Sequence, residues 1–220
     1  AHSHQTPLAY PMTIGIIPTI APYLLPKVLP ALTDKYPTFE ITVVEKQTER
    51  LLDLVRYGHI DTAIIALPYV VEGLHVFEFW AEDFFAVFPK GSDLARLDHI
   101  TSSQLSKTNL LLLGEGHCLT DQVLSICSMS KEQIKSGFSD ASLNTIIQMA
   151  LAGMGTTLVP KIAIDQIAGD NVMVSLTPSP FGEKAFVLIA IPTDGLIVST
   201  MILGTDFDAL LPARSVAEIR

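Results

Sequence analysis

The sequence predicts an α/β protein built as a hinged pair of lobes. Short apolar runs with strand character alternate with helix-period segments over residues 12–67, and the alternation restarts from residue 74. No long linker, internal repeat or low-complexity tract separates the two stretches. The 220 residues are 49% hydrophobic and 17% charged, which is enough apolar surface for a substantial core. The length fits one or two domains of roughly 100–200 residues each.

MTIGII (12–17) reads as a buried strand that stops at Pro18. Thr19 then precedes APYLLPKVLPALTDKY, whose apolar residues recur at helical spacing; Pro22 suits a first turn, where its missing N–H has no intrahelical bond to lose. FEITVVE (39–45) is a second strand, followed by a Thr48-led helix, ERLLDLVRYG, closed by Gly58. IDTAIIAL (60–67) is a third strand. This order is the pattern of a parallel α/β sheet. LHVFEFW and DFFAVFPK (74–90) restart it, and NLLLLG (109–114) is a buried strand. SLNTIIQMALAGMG (142–155) is a Gly-terminated helix and TTLVP a short strand. NVMVSL and KAFVLIAI (184–191) are further strands, and MILGTDFDALLPARSVAEIR (201–220) is a partly amphipathic helix. The cleft between two such lobes is the default binding site.

Composition narrows the function classes. The longest apolar runs, such as Ala185 to Ile191, reach seven residues, far short of the roughly 20 needed to span a bilayer. No basic-then-apolar signal segment opens the chain, so a soluble, cytoplasmic protein with no membrane partner is expected. The formal net charge of −9 argues against nucleic-acid binding by this chain alone. Ala1 begins a polar, linker-like AHSHQTP stretch, and a further upstream segment is expected. His2 and His4 read as an incidental pair rather than metal ligands, and no metal or cofactor is expected.

The only two cysteines stand nine positions apart in GEGHCLTDQVLSIC (114–127). A strand stops at Gly114 and Gly116, and HCLTDQVLSIC reads as a helix with Leu119, Val123 and Ile126 or Cys127 on one face. Cys127 then points inward. Cys118 sits in the first turn, where free N–H groups and the helix dipole favour an anion, with His117 beside it. Electropositive places of this kind lower a thiol pKa, and the thiolate is the form that attacks a peroxide. Nine residues of helix rise about 13.5 Å, whereas a disulfide needs Cα atoms roughly 4.4–6.8 Å apart. A bond between these cysteines would therefore require the helix to unwind, a switch rather than a staple. Spacing alone equally allows two small buried hydrophobes. A Cys/His/Cys metal site lacks C-x-x-C and a second ligand pair.

GHCLTDQ with a second cysteine nine residues on resembles the peroxide-sensing window of OxyR-type members of the LysR family of transcriptional regulators. IGIIPTIAPYLLPKVLPAL and EKQTERLLDLVRYGHIDTAIIAL resemble the first strands and helices of that family, and SLNTIIQMALAGMGTTLVP is similar to a stretch common in its effector domains. The resemblance implies two Rossmann-like subdomains of the type 2 periplasmic-binding-protein kind. Subdomain I would be 8–80 plus 187–220, and subdomain II, with the cysteines, 81–186. The N-terminal winged helix-turn-helix that binds promoter DNA would lie outside this chain. The resemblance makes Cys118 the peroxidatic cysteine, oxidised to a sulfenic acid, and Cys127 the resolving cysteine that closes a disulfide. Thr19 and Thr48 match hydroxyls that help hold peroxide. Both also lie between a strand's C-terminal end and a helix start, where ligands collect in open α/β sheets. Service as ordinary helix N-caps is the other reading of both.

His117 matches a residue that donates a hydrogen bond to the oxidising group, and Asp121 one that orders the helix start. Ser142 is expected to cap the 142–153 helix, with Asn144 near the cleft. Two departures stand out. Thr120 occupies a position where an arginine occurs in some members, and around PFGEKAF only Lys184 offers a cation. The family further implies a homodimer or homotetramer, contact with RNA polymerase, reset by a glutaredoxin or thioredoxin system, and no enzymatic turnover. The 48–58 helix, with Leu51, Leu52 and Val55, is either a pairing surface or core. Two other functions fit the same residues: a metabolite-binding effector domain with incidental cysteines, and a thiol peroxidase.

Overall fold

A computed structural model describes residues 10–89, 91–97, 100–130 and 140–167, together with the backbone of strands 172–176 and 184–190. The chain divides into two compact units, Ala1–Ala81 with Lys184–Arg220, and Glu82–Glu183.

The first unit is a five-stranded sheet with the order β2-β1-β3-β8-β4. Strands β1 (Met12–Ile16), β2 (Ile41–Glu45) and β3 (Thr62–Ala66) run parallel, with Met12 opposite Ile41 and Ile14 opposite Thr62. Their crossovers are α1 (Ala21–Lys35) and α2 (Thr48–Arg56), as the alternating pattern predicts. Strand β8 (Lys184–Ala190) lies antiparallel against β3, pairing Thr62 with Ala190 and Ala66 with Phe186, and β4 (His75–Glu82) forms the edge beyond it. The sheet is therefore mixed rather than parallel throughout. Nothing local in KAFVLIAI encodes a partner more than a hundred residues upstream.

Helix α1 keeps its form through Pro26 and Pro30. Both prolines are exposed, so water can reach the carbonyls their missing N–H groups leave without a donor. Tyr23, Leu24, Val28 and Leu32 bury the opposite face. Helix α2 lies so close to β1 that a Cβ on Gly15 would stand 2.5 Å from Leu51 Cδ2 and 2.8 Å from Ile60 Cδ1. Leu51, Leu52 and Val55 are buried in this unit and belong to its core, which removes them as a pairing surface.

In the second unit, β5 (Phe84–Pro89) is central to an antiparallel sheet with β6 (Thr157–Pro160) on one side and β7 (Val172–Leu176) on the other. The strand expected over 109–114 is reduced to one parallel bridge, Leu110 with Thr156, flanked by bonds from Leu111 N to Thr156 O (2.8 Å) and from Thr156 N to Asn109 O (2.9 Å). Leu110 to Leu113 are nonetheless all buried, as their composition predicts. The approach at the bridge is close: a Cβ on Gly155 would collide with the Asn109 carbonyl oxygen. Among the described residues the unit also has two four-residue α-helices, α3 (Ser102–Leu105) and α6 (Ile164–Ile167), and two longer ones, α4 (Cys118–Cys127) and α5 (Leu143–Leu151). Helix α5 packs on β5 and β6, and α4 packs on α3. The helix expected over 201–220 lies outside the described residues.

Candidate functional site: the thiol helix

Helix α4 begins at one cysteine and ends at the other. Neither is in a disulfide, and they are 6% and 7% exposed. Leu119, Val123, Leu124 and Ile126 are buried, and they hold the helix in the unit. At 1.5 Å per residue the two Cα atoms are about 13.5 Å apart along the axis, about twice the span a disulfide tolerates. The reduced helix and a Cys118–Cys127 bond are mutually exclusive.

His117 is the N-cap residue, but its side chain makes no cap bond. Burial lowers the His117 pKa, so at neutral pH its imidazole is uncharged and acts as a hydrogen-bond donor or acceptor rather than a cation. Asp121 is exposed in the first turn, where a carboxylate interacts favourably with the helix dipole. Burial pushes the Cys127 thiol up, keeping it protonated at neutral pH. At the far end, Ser128 has φ 50°, a left-handed conformation that costs a non-glycine residue about 1–2 kcal/mol.

Thr120 is buried and donates its hydroxyl proton to the Leu113 carbonyl at 2.9 Å. The departure from arginine at this position is therefore a polar tether between the first turn of α4 and the buried segment bridged to Thr156. A sequence shows only the short polar side chain, since the acceptor is a backbone atom seven residues upstream.

Thr19 and Thr48 belong to the first unit. Both lie beyond the C-terminal ends of parallel strands, Thr19 after β1 and Thr48 after β2, and they are 4% and 1% exposed. Neither is an N-cap: Ile20 precedes α1, Gln47 precedes α2, and no side chain caps either helix. Thr48 is instead the first helical residue, and its buried Oγ1 has no hydrogen-bond partner among the described residues. Ser142 does cap α5, accepting from the Thr145 N–H at 3.2 Å, while Asn144 is exposed in the first turn. His2, His4 and the Lys184 side chain lie outside the described residues. Among the described residues no cluster of three His, Cys, Asp or Glu side chains is placed to hold a metal.

One buried acid escaped the sequence reading. Glu82 is 5% exposed at the end of β4, where Oε2 accepts the Ile162 N–H at 2.8 Å. Desolvation pushes its carboxyl well up, opposed by the Ile162 hydrogen bond and the Lys161 charge and reinforced by Asp83. The only sequence signal is a glutamate within the strand run EFWAED.

The LysR substrate binding domain model matches residues 6–193. The chain belongs to that family, and its fold is the type 2 periplasmic-binding-protein-like α/β fold of LysR regulatory domains. Within the family its likeness runs to OxyR. A probable hydrogen peroxide-inducible genes activator of Mycobacterium leprae is 42% identical over 74% of this chain and 53% of its own length. An OxyR cysteine-to-serine variant from Corynebacterium glutamicum, solved with hydrogen peroxide bound, superposes with a TM-score of 0.82 at 32% identity, covering 91% of this chain and 65% of that one. The reduced OxyR regulatory domain of Pseudomonas aeruginosa gives 0.80 at 28% identity, covering 94% and 100%. The chain spans about half the length of the named relatives it matches. No helix among the described residues is long and apolar enough to cross a membrane.

Proposed function

We propose that this chain is the sensing domain of a peroxide-responsive transcriptional regulator, and that α4 is its redox switch. One observation carries the reading: the only two cysteines in the sequence are outside any disulfide, buried and fixed at opposite ends of a single helix in a LysR-family domain. The Cys118 thiolate attacks one oxygen of hydrogen peroxide and the O–O bond breaks. The sulfur becomes a sulfenic acid, and the departing hydroxide leaves as water after taking a proton. The helix unwinds. Cys127 then attacks the Cys118 sulfur as a thiolate, the S–S bond forms, and the sulfenic hydroxyl leaves with the Cys127 proton as a second water.

Thr19 and Thr48 hold peroxide, a role supported by their place beyond the strand ends and by the partnerless Thr48 hydroxyl. His117 donates a hydrogen bond to the oxidising group, and Asp121 orders the start of α4. The domain reacts once and waits for a thiol reductant of the glutaredoxin or thioredoxin type, so it is a sensor and not a peroxidase. Unwinding alters the subunit arrangement of a cytoplasmic homo-oligomer. Through a DNA-binding domain in the longer protein, it changes promoter occupancy and contact with RNA polymerase. The peroxide bound in the Corynebacterium structure and the name of the Mycobacterium relative, a hydrogen peroxide-inducible genes activator, support this choice of signal.

The test is one equivalent of hydrogen peroxide on the wild type and on Cys127→Ser, read by intact mass and non-reducing peptide mapping. The wild type is expected to lose two hydrogens and yield a Cys118–Cys127 cross-link, while the variant gains one oxygen at Cys118. Free thiols at both positions under micromolar peroxide would overturn the reading and redirect the search to a metabolite.

A further inference from the structure

We infer that Thr120 is a positioning residue that anchors the Cys118 end of α4, so that the Cys127 end is the one that unwinds. The inference rests on the proposed redox role, but its core is mechanical. A disulfide needs the two ends to approach by several ångströms, and either end of the helix can give way. The two ends are held very differently.

At the first turn, the Thr120 hydroxyl donates to Leu113 O at 2.9 Å, and the Thr120 N–H donates to His117 O at 3.0 Å. Leu113 closes a run of four buried leucines, tied through Leu110 and Leu111 to Thr156, the residue before β6. Pulling the first turn away would strand the Leu113 carbonyl without this donor, a cost that falls on a buried group. At the last turn the Ser128 N–H donates to Ser125 O at 3.2 Å and the Met129 N–H to Leu124 O at 2.9 Å, bonds from an exposed and a half-buried residue that water can replace, and Ser128 sits in the left-handed region, a strain that unwinding relieves. The hydrogen bond and the strain act in the same direction. The thiol that meets peroxide stays in place, and the buried, protonated Cys127 is released toward it, its burial lifted as it moves.

The measurement is amide hydrogen exchange on the reduced whole chain, with the rate of Cys118 oxidation by hydrogen peroxide measured in parallel, for wild type, Thr120→Val and Thr120→Ser. In the wild type, amides from Ile126 to Met129 are expected to exchange faster than those from Gln122 to Leu124. Thr120→Val is expected to speed exchange at Gln122 to Leu124 about fivefold and to slow Cys118 oxidation by a similar factor, as loss of one buried hydrogen bond implies. Thr120→Ser keeps the donor and restores both. Alkylation of Cys127 should be unchanged in all three. Earlier opening of the first turn in the wild type, or exchange and oxidation unchanged in Thr120→Val, would overturn the anchor. So would faster disulfide closure in Thr120→Val with unchanged peroxide attack, because that result makes Thr120 a latch broken during closure. The wild-type comparison of the two ends and the Thr120→Ser arm decide the matter even if the valine variant fails to fold. Exchange needs no peroxide, so a wild type that opens at its last turn yet never oxidises would sink the redox role and leave the anchor standing.

Discussion

Thr48 sets a cost in stability against a proposed role in holding peroxide. A hydroxyl buried to 1% exposure without a partner carries a desolvation cost, and nothing in the described protein compensates it. A side chain kept for folding would have been more stable as valine. Thr48→Val is therefore expected to match or exceed the wild type in denaturant stability, since removing an unsatisfied group of the same shape is neutral or favourable. Its Cys118 oxidation by peroxide is expected to slow about tenfold, the worth of one hydrogen bond of roughly 1.4 kcal/mol. A valine variant with unimpaired oxidation would overturn the proposed peroxide role of Thr48. The sequence placed this residue beside a helix start but offered two readings for it. The structure removes the N-cap reading, because the N-cap geometry belongs to Gln47 and a capping hydroxyl would have had a backbone N–H to accept from; the peroxide role is the proposal that the valine variant tests.

At the scale of the element, the two ends of α5 were legible because their chemistry is local, whereas the N-cap readings of Thr19 and Thr48 failed by one residue. Ser142 caps α5 as its sequence implies, and Gly153 follows the last turn with φ +87°. A Cβ on Gly153 would meet nothing within 4 Å, so Gly153→Ala isolates the backbone cost of the left-handed conformation. That cost should be about 1 kcal/mol, visible as a loss of about 2–4 °C in thermal midpoint for a chain of this size. An unchanged midpoint would mean that the turn relaxes to another conformation. The strand expected over 109–114 failed for the opposite reason. Its burial is set by its own leucines, but a ladder needs a partner, and the chain on the other side of the bridge turns away after Thr156 to pair with β5. The antiparallel seat of β8 beside β3 is equally non-local. The α/β class and the two crossover helices were readable because alternating strand and helix periods are written within each segment.

At the scale of the whole molecule, Glu82 occupies the point where the chain passes from the first unit to the second. Its carboxyl is raised well above the carboxylate range by burial. In the unfolded chain it titrates near 4.3, like any exposed glutamate, at about that value. Between those two values the folded state holds a proton that the unfolded state has lost. The neutral acid's contribution is thus complete below the unfolded pKa and declines as pH rises through the folded one. Urea unfolding of Glu82→Gln, which keeps an acceptor for the Ile162 N–H without a charge, should show a stability gain over the wild type that grows from pH 5 to pH 8. A constant difference across that range would mean that Glu82 is ionised in the folded protein.

These scales converge on α4, where the proposed disulfide would compete with the helix for the same ten residues. The most direct measurement is the set of backbone carbon chemical shifts over residues 116–130, recorded before and after one equivalent of hydrogen peroxide. Helical shifts are expected from Cys118 to Cys127 in the reduced protein. After oxidation they should be lost from Gln122 to Cys127, with both cysteine Cβ shifts moving to disulfide values. A Cys118–Cys127 bond formed with helical shifts intact along the whole segment would contradict the account at its centre.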